Sequence, residues 1–124
     1  MNQAVLAVLL AGLLPIVCAG IAKWGAKGYD NHDPRAWLAR QQGLRARANA
    51  AQQNSFEAFP FFAVAVALAL HSGASAEAVA PWAWGFVAMR VAYIFCYVTD
   101  RASLRSVLWT VALAFVIRIY GLAL

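Results

Sequence analysis

The apolar residues of this chain fall into four long blocks that are separated by short polar stretches. Residues 1–22 carry no charged side chain, and residues 58–76 carry none either. Residues 78–99 contain one charge, and residues 106–124 contain one. A helix needs about 20 mostly apolar residues to cross a bilayer, whereas strands of a membrane barrel would alternate over about 10 residues. The pattern therefore predicts an all-α membrane protein, a bundle of four transmembrane helices.

The whole chain, residues 1–124, is expected to form one domain built around these four spans. The first block lacks the positive residues that precede the apolar stretch of a secretory signal peptide, so we expect it to be a membrane-spanning helix. Residues 36–45 are predicted either as a short interfacial helix or as the first turns of the second span. The expected spans are residues 2–23, 46–71, 79–99 and 104–123, and the loop after the first of them covers residues 24–45.

Composition excludes the main alternatives to a membrane protein. Hydrophobic residues make up 64% of the chain, charged residues 12% and aromatic residues 13%. Soluble domains carry about a quarter charged residues, and a soluble domain of this size could not bury so much apolar surface. A disordered chain is excluded as well, because it would be rich in charge and poor in aromatic residues.

The charges indicate how the spans are oriented. Six basic and two acidic residues lie between positions 23 and 47, the second connection carries Glu77 and no basic residue, and the third is basic again. Positively charged loops stay in the cytoplasm, so we expect both termini to lie on the non-cytoplasmic side. The net charge of +5 then reflects topology and attraction to the anionic head groups of membrane lipids. Nucleic acid is not expected as a partner.

No metal site is expected in this chain. Its two histidines and two cysteines are scattered without the spacing of metal ligands. Cys18 and Cys96 lie within apolar helices, where cysteine behaves as a small buried hydrophobe. Binding chemistry must therefore come from the few polar residues inside the predicted spans.

The second predicted span begins with a polar stripe. Arg47, Asn54 and Glu57 are spaced by seven and three residues, which places them on one face of a helix. Glu57 lies roughly 16 Å along a helix that enters the membrane near residue 46, at about 1.5 Å per residue. Carboxylates at such depth face the bundle interior and commonly mark function. Pro60 is expected to kink the helix and to open space near Glu57.

The third span offers Glu57 a partner. Arg90, Tyr93 and Tyr97 recur on one helical face. If the second and third spans run antiparallel through their short connection, Arg90 lies at the depth of Glu57. We therefore predict a buried ion pair between these two residues. The alternative is a purely structural role, with polar groups joining helices and the tyrosines forming an interfacial aromatic belt.

These residues resemble those of a known family. The run from Arg47 to Pro60, with its Arg…Gln-x-Asn-x-x-Glu-x-x-Pro arrangement, is similar to the second helix of the MAPEG family, the membrane-associated proteins in eicosanoid and glutathione metabolism. The Arg90-x-x-Tyr93-x-x-x-Tyr97 spacing and the Arg105 that follows resemble the third helix of that family and the start of its fourth. The likeness covers essentially the whole chain, and its first loop resembles bacterial relatives.

The resemblance implies a homotrimer that binds glutathione as co-substrate between adjacent subunits, on the cytoplasmic half of a bacterial inner membrane. A hydrophobic electrophile or lipid hydroperoxide would reach the site from the bilayer. Arg105, with Arg101 behind it, matches the arginine that stabilises the glutathione thiolate in the family, and a nearby cation lowers the pKa of a thiol. The glutathione ligands that the resemblance implies are Arg47, Gln52, Gln53, Asn54, Glu57, Tyr93 and Tyr97.

Three functions from different classes follow from these observations. The first is a glutathione-dependent transferase or peroxidase. The second is a non-catalytic member of the family that binds lipid or scaffolds a partner, and it is favoured by Ala50, which stands where the eicosanoid branch has a second ligand-contacting arginine. The third is a small multidrug exporter, which also has four helices and one membrane glutamate. An exporter of cations needs an uncompensated carboxylate, so the expected pairing of Glu57 with Arg90 argues against it.

Overall fold

The protein is a bundle of four long helices and one short helix, described by a computed structural model that covers all 124 residues. The four long helices are each long and apolar enough to cross a membrane. The predicted all-α architecture with four spans is therefore confirmed. The helices are α1 (Gln3–Lys23), α2 (Pro34–Ala39), α3 (Gly43–His71), α4 (Ala76–Val98) and α5 (Ala102–Tyr120).

The loop after α1 contains elements of both alternatives that were expected for residues 36–45. Asp33 caps α2 through its side chain and Pro34 occupies the first turn, which its fixed backbone angle favours. Gly43 has a φ of +62° at the start of α3, a conformation that glycine adopts at little cost. The loop therefore holds a separate short helix, and α3 also begins three residues earlier than the expected position 46.

Helix ends are set by local side chains and turns. The Asn2 side chain accepts hydrogen bonds from the N–H groups of Ala4 and Val5, and Ser75 caps α4 in the same way through Ala78. After α3, Gly73 takes a φ of +97°, and the N–H of Ala74 reaches back to the carbonyl of Ala69. This is the turn that glycine commonly allows at a helix C-terminus, so α3 and α4 form an antiparallel hairpin.

Small side chains let α1 approach its neighbours closely. One face of α1 carries a buried residue every three or four positions, and most of them are alanines that are fully enclosed by α3 and α4. Membrane helices associate through such small residues because lipid gives apolar side chains no drive to leave it. The buried residues of this face are Ala4, Ala7, Ala11, Pro15, Cys18 and Ala22.

Aromatic packing fixes the other helices at the end away from the basic loops. Phe62 of α3 stacks on Phe86 of α4, with ring centroids 4.0 Å apart. Gly85 leaves room for Phe115 of α5, since a β-carbon at this position would come within 3.0 Å of the Phe115 ring. The close contact between α4 and α5 thus depends on the missing side chain.

Two arginines join the helices at the basic end of the bundle. Nη1 of Arg45 donates to the carbonyl of Ala22 near the end of α1, at 2.8 Å. Nε of Arg47 donates to the carbonyl of Val98 at the end of α4, at 3.1 Å. Both carbonyls belong to last turns, where helices leave acceptors without a backbone partner. The first two turns of α3 thereby hold the C-termini of two neighbouring helices.

Candidate functional site

Three of the predicted site residues meet in one groove at the surface of the bundle. Asn54 of α3, Tyr93 of α4 and Arg105 of α5 line it, together with Ser106 and Thr110 of α5. Asn54 and Tyr93 come together here because α3 and α4 run antiparallel. Trp109 also lines the groove. The groove offers a cation, an amide and a phenol side by side.

Arg105 is held in this groove by an aromatic side chain. Its guanidinium lies over the ring of Tyr97, with 4.2 Å between its central carbon and the ring centroid. Tyr97 in turn meets Tyr93 edge to face, at a centroid distance of 5.6 Å. A cation over an aromatic face is attracted by the ring quadrupole, most strongly where water is scarce. Tyr97 therefore restricts where the Arg105 charge can lie.

A second, more apolar cavity of about 210 Å³ adjoins the groove on its membrane side. It lies between α3, α4 and α5 and shares Asn54 and Trp109 with the groove. Phe61, Phe86 and Leu113 form its apolar walls, and Glu57 and Arg90 bring charge to it. An engineered apolar cavity of about 150 Å³ is large enough to hold a benzene molecule. This inner cavity can therefore accept a ring or a short aliphatic segment.

Glu57 and Arg90 do not form the predicted ion pair. Arg90 is only 2% exposed, and its Nη2 donates to the hydroxyl of Ser55 at 3.2 Å. Its guanidinium also packs on the ring of Tyr93, with 4.2 Å from the central carbon to the centroid. Glu57 is exposed and accepts one hydrogen bond, from Asn54 at 3.4 Å. The depth match is as expected, since both residues line the inner cavity, but the Arg90 guanidinium donates to Ser55 instead of Glu57.

This correction has a simple physical reason. Ser55 and Glu57 are two positions apart on α3, so their side chains leave the helix in different directions. Ser55 faces the buried junction near α4, and Glu57 faces away from it. The arginine satisfies its donors at the nearer acceptor and on the neighbouring ring. Glu57 therefore keeps a carboxylate that no cation neutralises directly.

Asn54 presents an acceptor that has no partner. Its Nδ2 donates to Glu57, whereas its Oδ1 is buried and makes no hydrogen bond in the protomer. Buried polar atoms without a partner are uncommon in native proteins, and each calls for an explanation such as a bound ligand. Asn54 lines both the groove and the inner cavity. A donor on a bound molecule would satisfy this oxygen.

Five of the predicted site residues line neither the groove nor the inner cavity. Tyr97 is one of them, but it packs against the Arg105 guanidinium. Arg47 is occupied by the carbonyl at the end of α4. Gln52 is half-buried, Gln53 is exposed, and neither makes a side-chain hydrogen bond. Arg101 is exposed at the start of α5 and lines neither space. Within one protomer, the site is built from Asn54, Glu57, Arg90, Tyr93, Tyr97 and Arg105.

Sequence reasoning missed several residues that shape this site. Ser55 gives Arg90 its acceptor, and its place inside the polar run of the second span was the available signal. Trp109 follows Arg105 by four residues on α5, which places both on one helical face. We assigned no site role to this tryptophan from the sequence, yet it lines both the groove and the inner cavity. Ser106 and Thr110 gave no signal, because isolated hydroxyls are common in membrane helices.

Comparison with known proteins supports one family. The chain matches the family described as MAPEG over residues 4–124, which is essentially its whole length. Neither the curated proteins nor the solved structures gave a match. The polar residues that the groove brings together are those on which the resemblance to this family rests. This chain is therefore a member of the MAPEG family, an integral membrane protein of the group associated with glutathione and eicosanoid metabolism.

Proposed function

We propose that this protein is a glutathione-dependent transferase or peroxidase that acts on hydrophobic electrophiles or lipid hydroperoxides. One observation carries the proposal. A polar groove that contains Arg105, Tyr93 and Asn54 adjoins an apolar cavity inside the same bundle. A polar thiol and an apolar acceptor can thus bind next to each other, which is what a conjugation or peroxide reduction requires.

The groups of the site suit an anionic tripeptide that also carries an amino group. The unpaired carboxylate of Glu57 is available to the ammonium group of glutathione, because Arg90 is engaged elsewhere. The buried oxygen of Asn54 accepts from an N–H of the peptide. Arg105 is a cation held in position by Tyr97, and charge-assisted contacts of this kind are strong. The residues present therefore fit glutathione.

We assign to Arg105 the stabilisation of the glutathione thiolate. A thiol has a pKa of about 8.5, and a neighbouring guanidinium lowers it, which raises the thiolate fraction at neutral pH. The thiolate attacks an electrophilic carbon, forms the C–S bond and displaces the leaving group. With a hydroperoxide it attacks the terminal oxygen, so the O–O bond breaks and an alcohol is released after protonation; the sulfenic acid formed on glutathione condenses with a second glutathione to give the disulfide and water. The inner cavity, lined by Phe61, Phe86 and Leu113, would hold the apolar part of that acceptor. Arg101 remains a second, more distant cation at the same helix end.

We further propose that the working unit is a homotrimer in a bacterial inner membrane, with the site on the cytoplasmic half. Glu57 and Gln53 are exposed on the protomer inside or near the membrane-spanning part of α3. Polar groups at such depth are costly against lipid and face protein or water instead. A neighbouring copy that covers them would also bring its own Gln52, Gln53 or Arg47 towards the groove. These three residues are expected glutathione ligands that do not line the groove of their own protomer.

Turnover with glutathione and 1-chloro-2,4-dinitrobenzene tests the proposal directly. The detergent-solubilised protein should form the conjugate, and Arg105→Ala should lower kcat/KM by about 100-fold, the scale of losing one electrostatic stabiliser. Arg118→Ala is the matched control, because Arg118 is exposed at the opposite end of α5. Glutathione should also raise the melting temperature of the wild type.

The non-catalytic alternative predicts a different result. Ala50 replaces a ligand-contacting arginine of the eicosanoid branch, which favours a member that binds lipid without turnover. Absence of turnover together with absence of a glutathione-dependent rise in melting temperature would contradict the enzyme proposal. Stabilisation by glutathione without turnover would show a binding protein. The unpaired carboxylate of Glu57 removes the earlier argument against a cation exporter. We set the exporter aside because the chain belongs to the MAPEG family.

A further inference from the structure

Arg90 and Arg105 lie at the two ends of one continuous row of contacts that passes through two tyrosine rings. The guanidinium of Arg90 lies over the ring of Tyr93, with 4.2 Å from its central carbon to the ring centroid. Tyr93 meets Tyr97 edge to face at 5.6 Å, and the guanidinium of Arg105 lies over Tyr97 at 4.2 Å. We refer to these four residues as the cation–tyrosine row.

The spacing of residues on α4 builds most of this row. Arg90, Tyr93 and Tyr97 are separated by three and four positions, which places their side chains on one helical face in successive turns. Arg105 reaches Tyr97 from α5, which follows α4 after a short connection. The row therefore starts inside α4 and crosses to α5 at its last contact.

The inner end of the row is held more firmly than the outer end. Arg90 is 2% exposed and Tyr93 is 4% exposed, and Nη2 of Arg90 is fixed by the hydroxyl of Ser55 on α3. A close-packed interior leaves such side chains few alternative positions. Tyr97 and Arg105 are only half-buried. Burial thus decreases from the bundle interior towards the groove, so position is imposed from Arg90 outwards.

The position of the Arg105 charge matters for the proposed chemistry. An arginine side chain has many rotamers, and ordering it costs conformational entropy unless a contact restricts it. Reacting groups must also be held closely, because a misplacement of about 1 Å can lower a rate by about 100-fold. A half-buried arginine at the edge of a groove therefore depends on the ring that holds it and on what fixes that ring.

We propose that Arg90 is a positioning residue, which fixes through the rings of Tyr93 and Tyr97 where the guanidinium of Arg105 meets the glutathione thiolate. The inference rests on the proposed function, because it concerns the geometry of that reaction. Removal of Arg90 frees the ring of Tyr93, and Tyr97 then loses its edge-to-face support. Arg105 samples more positions as a result and stabilises the thiolate less.

A double-mutant cycle measured with glutathione and 1-chloro-2,4-dinitrobenzene tests whether Arg90 acts through the row. Arg90→Met should lower kcat/KM about fivefold, less than the loss in Tyr97→Leu, since it acts through more contacts. Added to Tyr97→Leu, it should cause no further loss, because the row is already broken. The pKa of the bound thiol, followed by thiolate absorbance, should rise in Arg90→Met towards the free value of about 8.5.

Val79→Ala is the matched control for lost stability. Val79 is fully buried in the first turn of α4 and lines neither the groove nor the inner cavity. This variant should lower the melting temperature and leave the pKa of the bound thiol unchanged. Arg90→Lys keeps a cation at the inner end and replaces Arg90→Met in the cycle if the latter does not fold. Its smaller loss in kcat/KM should likewise vanish in the Tyr97→Leu background.

Proton–nitrogen NMR of the protein with isotope-labelled arginine tests the row without glutathione. The Nε–H signal of Arg105, assigned by its absence from Arg105→Lys, should be displaced by the ring current of Tyr97. Arg90→Met should move this signal towards its position in Tyr97→Leu, whereas Val79→Ala should leave it in place. This measurement reports the position of Arg105 whether or not the protein is an enzyme.

Two results would overturn the proposal. A further loss of kcat/KM when Arg90→Met is added to Tyr97→Leu would show that Arg90 acts directly from the inner cavity. An Arg105 signal that stays in place in Arg90→Met would show that the row does not position this side chain. Failure of the proposed function is distinguishable, because a protein without turnover or stabilisation by glutathione would still show the shift of the Arg105 signal.

Discussion

The environment of Arg90 shows how a buried charge is accommodated in this bundle. A buried guanidinium is expensive in a membrane and must find acceptors. It binds the hydroxyl of Ser55 and the ring of Tyr93, which joins α4 to α3 without using the nearby carboxylate of Glu57. Arg90 therefore ties α4 to α3, whereas Glu57 keeps only its hydrogen bond from Asn54.

A double-mutant cycle separates these two partners of Arg90. We expect Arg90→Met and Ser55→Ala to show a coupling free energy of unfolding of about 1 kcal/mol, the typical net value of one hydrogen bond. Arg90→Met and Glu57→Gln should couple by less than about 0.5 kcal/mol, the scatter of independent sites. The measurement is reversible unfolding in mixed detergent micelles. A larger coupling of Arg90 with Glu57 than with Ser55 would contradict the geometry.

Tyr97 should act on the reaction through its ring. Tyr97→Leu removes the face that holds the Arg105 guanidinium, and we expect about a tenfold loss in kcat/KM, in line with a partly desolvated cation–π contact. Tyr97→Phe keeps the ring and should retain most of the activity. The comparison is made with glutathione and the same aromatic acceptor. Equal losses in the two variants would mean that the hydroxyl is the essential group.

At the scale of helices, small residues decide which surfaces meet. Alanines on one face let α1 lie against α3 and α4, and Gly85 lets the ring of Phe115 reach α4. Larger aromatic residues fill the space left at the same end, as Phe62 and Phe86 do. Because lipid does not drive apolar faces together, close packing of this kind is what orders the bundle.

Glycine positions give a matched test of this packing. Gly85→Ala places a β-carbon 3.0 Å from the Phe115 ring, and we expect a loss of about 1–3 kcal/mol in the free energy of unfolding from overpacking. Gly20→Ala meets nothing within 4 Å and should be neutral or stabilising, since alanine favours helix more than glycine does. Thermal unfolding of both variants in the same detergent measures the difference. Similar melting temperatures would argue against a tight contact at Gly85.

At the scale of the whole molecule, charge and packing divide the bundle into two ends. The basic end holds the arginines that cap α1 and α4 and the polar groove that Arg105 lines. The other end carries the hairpin turn around Gly73 and the exposed Glu77. An even number of spans would place the N- and C-termini on the same side of the membrane, and from the positive-inside rule we expect that side to be the exterior.

Labelling of single cysteines tests this orientation in intact cells. Cys18 and Cys96 are buried, so they contribute little background. A membrane-impermeant maleimide should label Ser72→Cys, in the connection after α3, without disrupting the membrane. Asn31→Cys, in the basic loop after α1, should react only after permeabilisation. The reverse pattern would show that both termini face the cytoplasm.

The sequence by itself determined the four spans, their approximate ends and the residues of the polar stripes, because these follow from local hydrophobicity and helical periodicity. It also predicted that Glu57 lies at the depth of Arg90, since a short turn between two antiparallel helices restricts their register. These properties depend on the number of residues along each helix and need no knowledge of side-chain packing.

Only the tertiary structure decided which partner each polar group takes. Arg90 reaches Ser55 instead of Glu57, and Arg47 binds a backbone carbonyl of α4 instead of lining the groove. Trp109 forms a wall shared by the groove and the inner cavity. Such choices depend on the rotation of each helix and on competition among nearby acceptors. Helical periodicity places a residue on a face, but packing decides what that face meets.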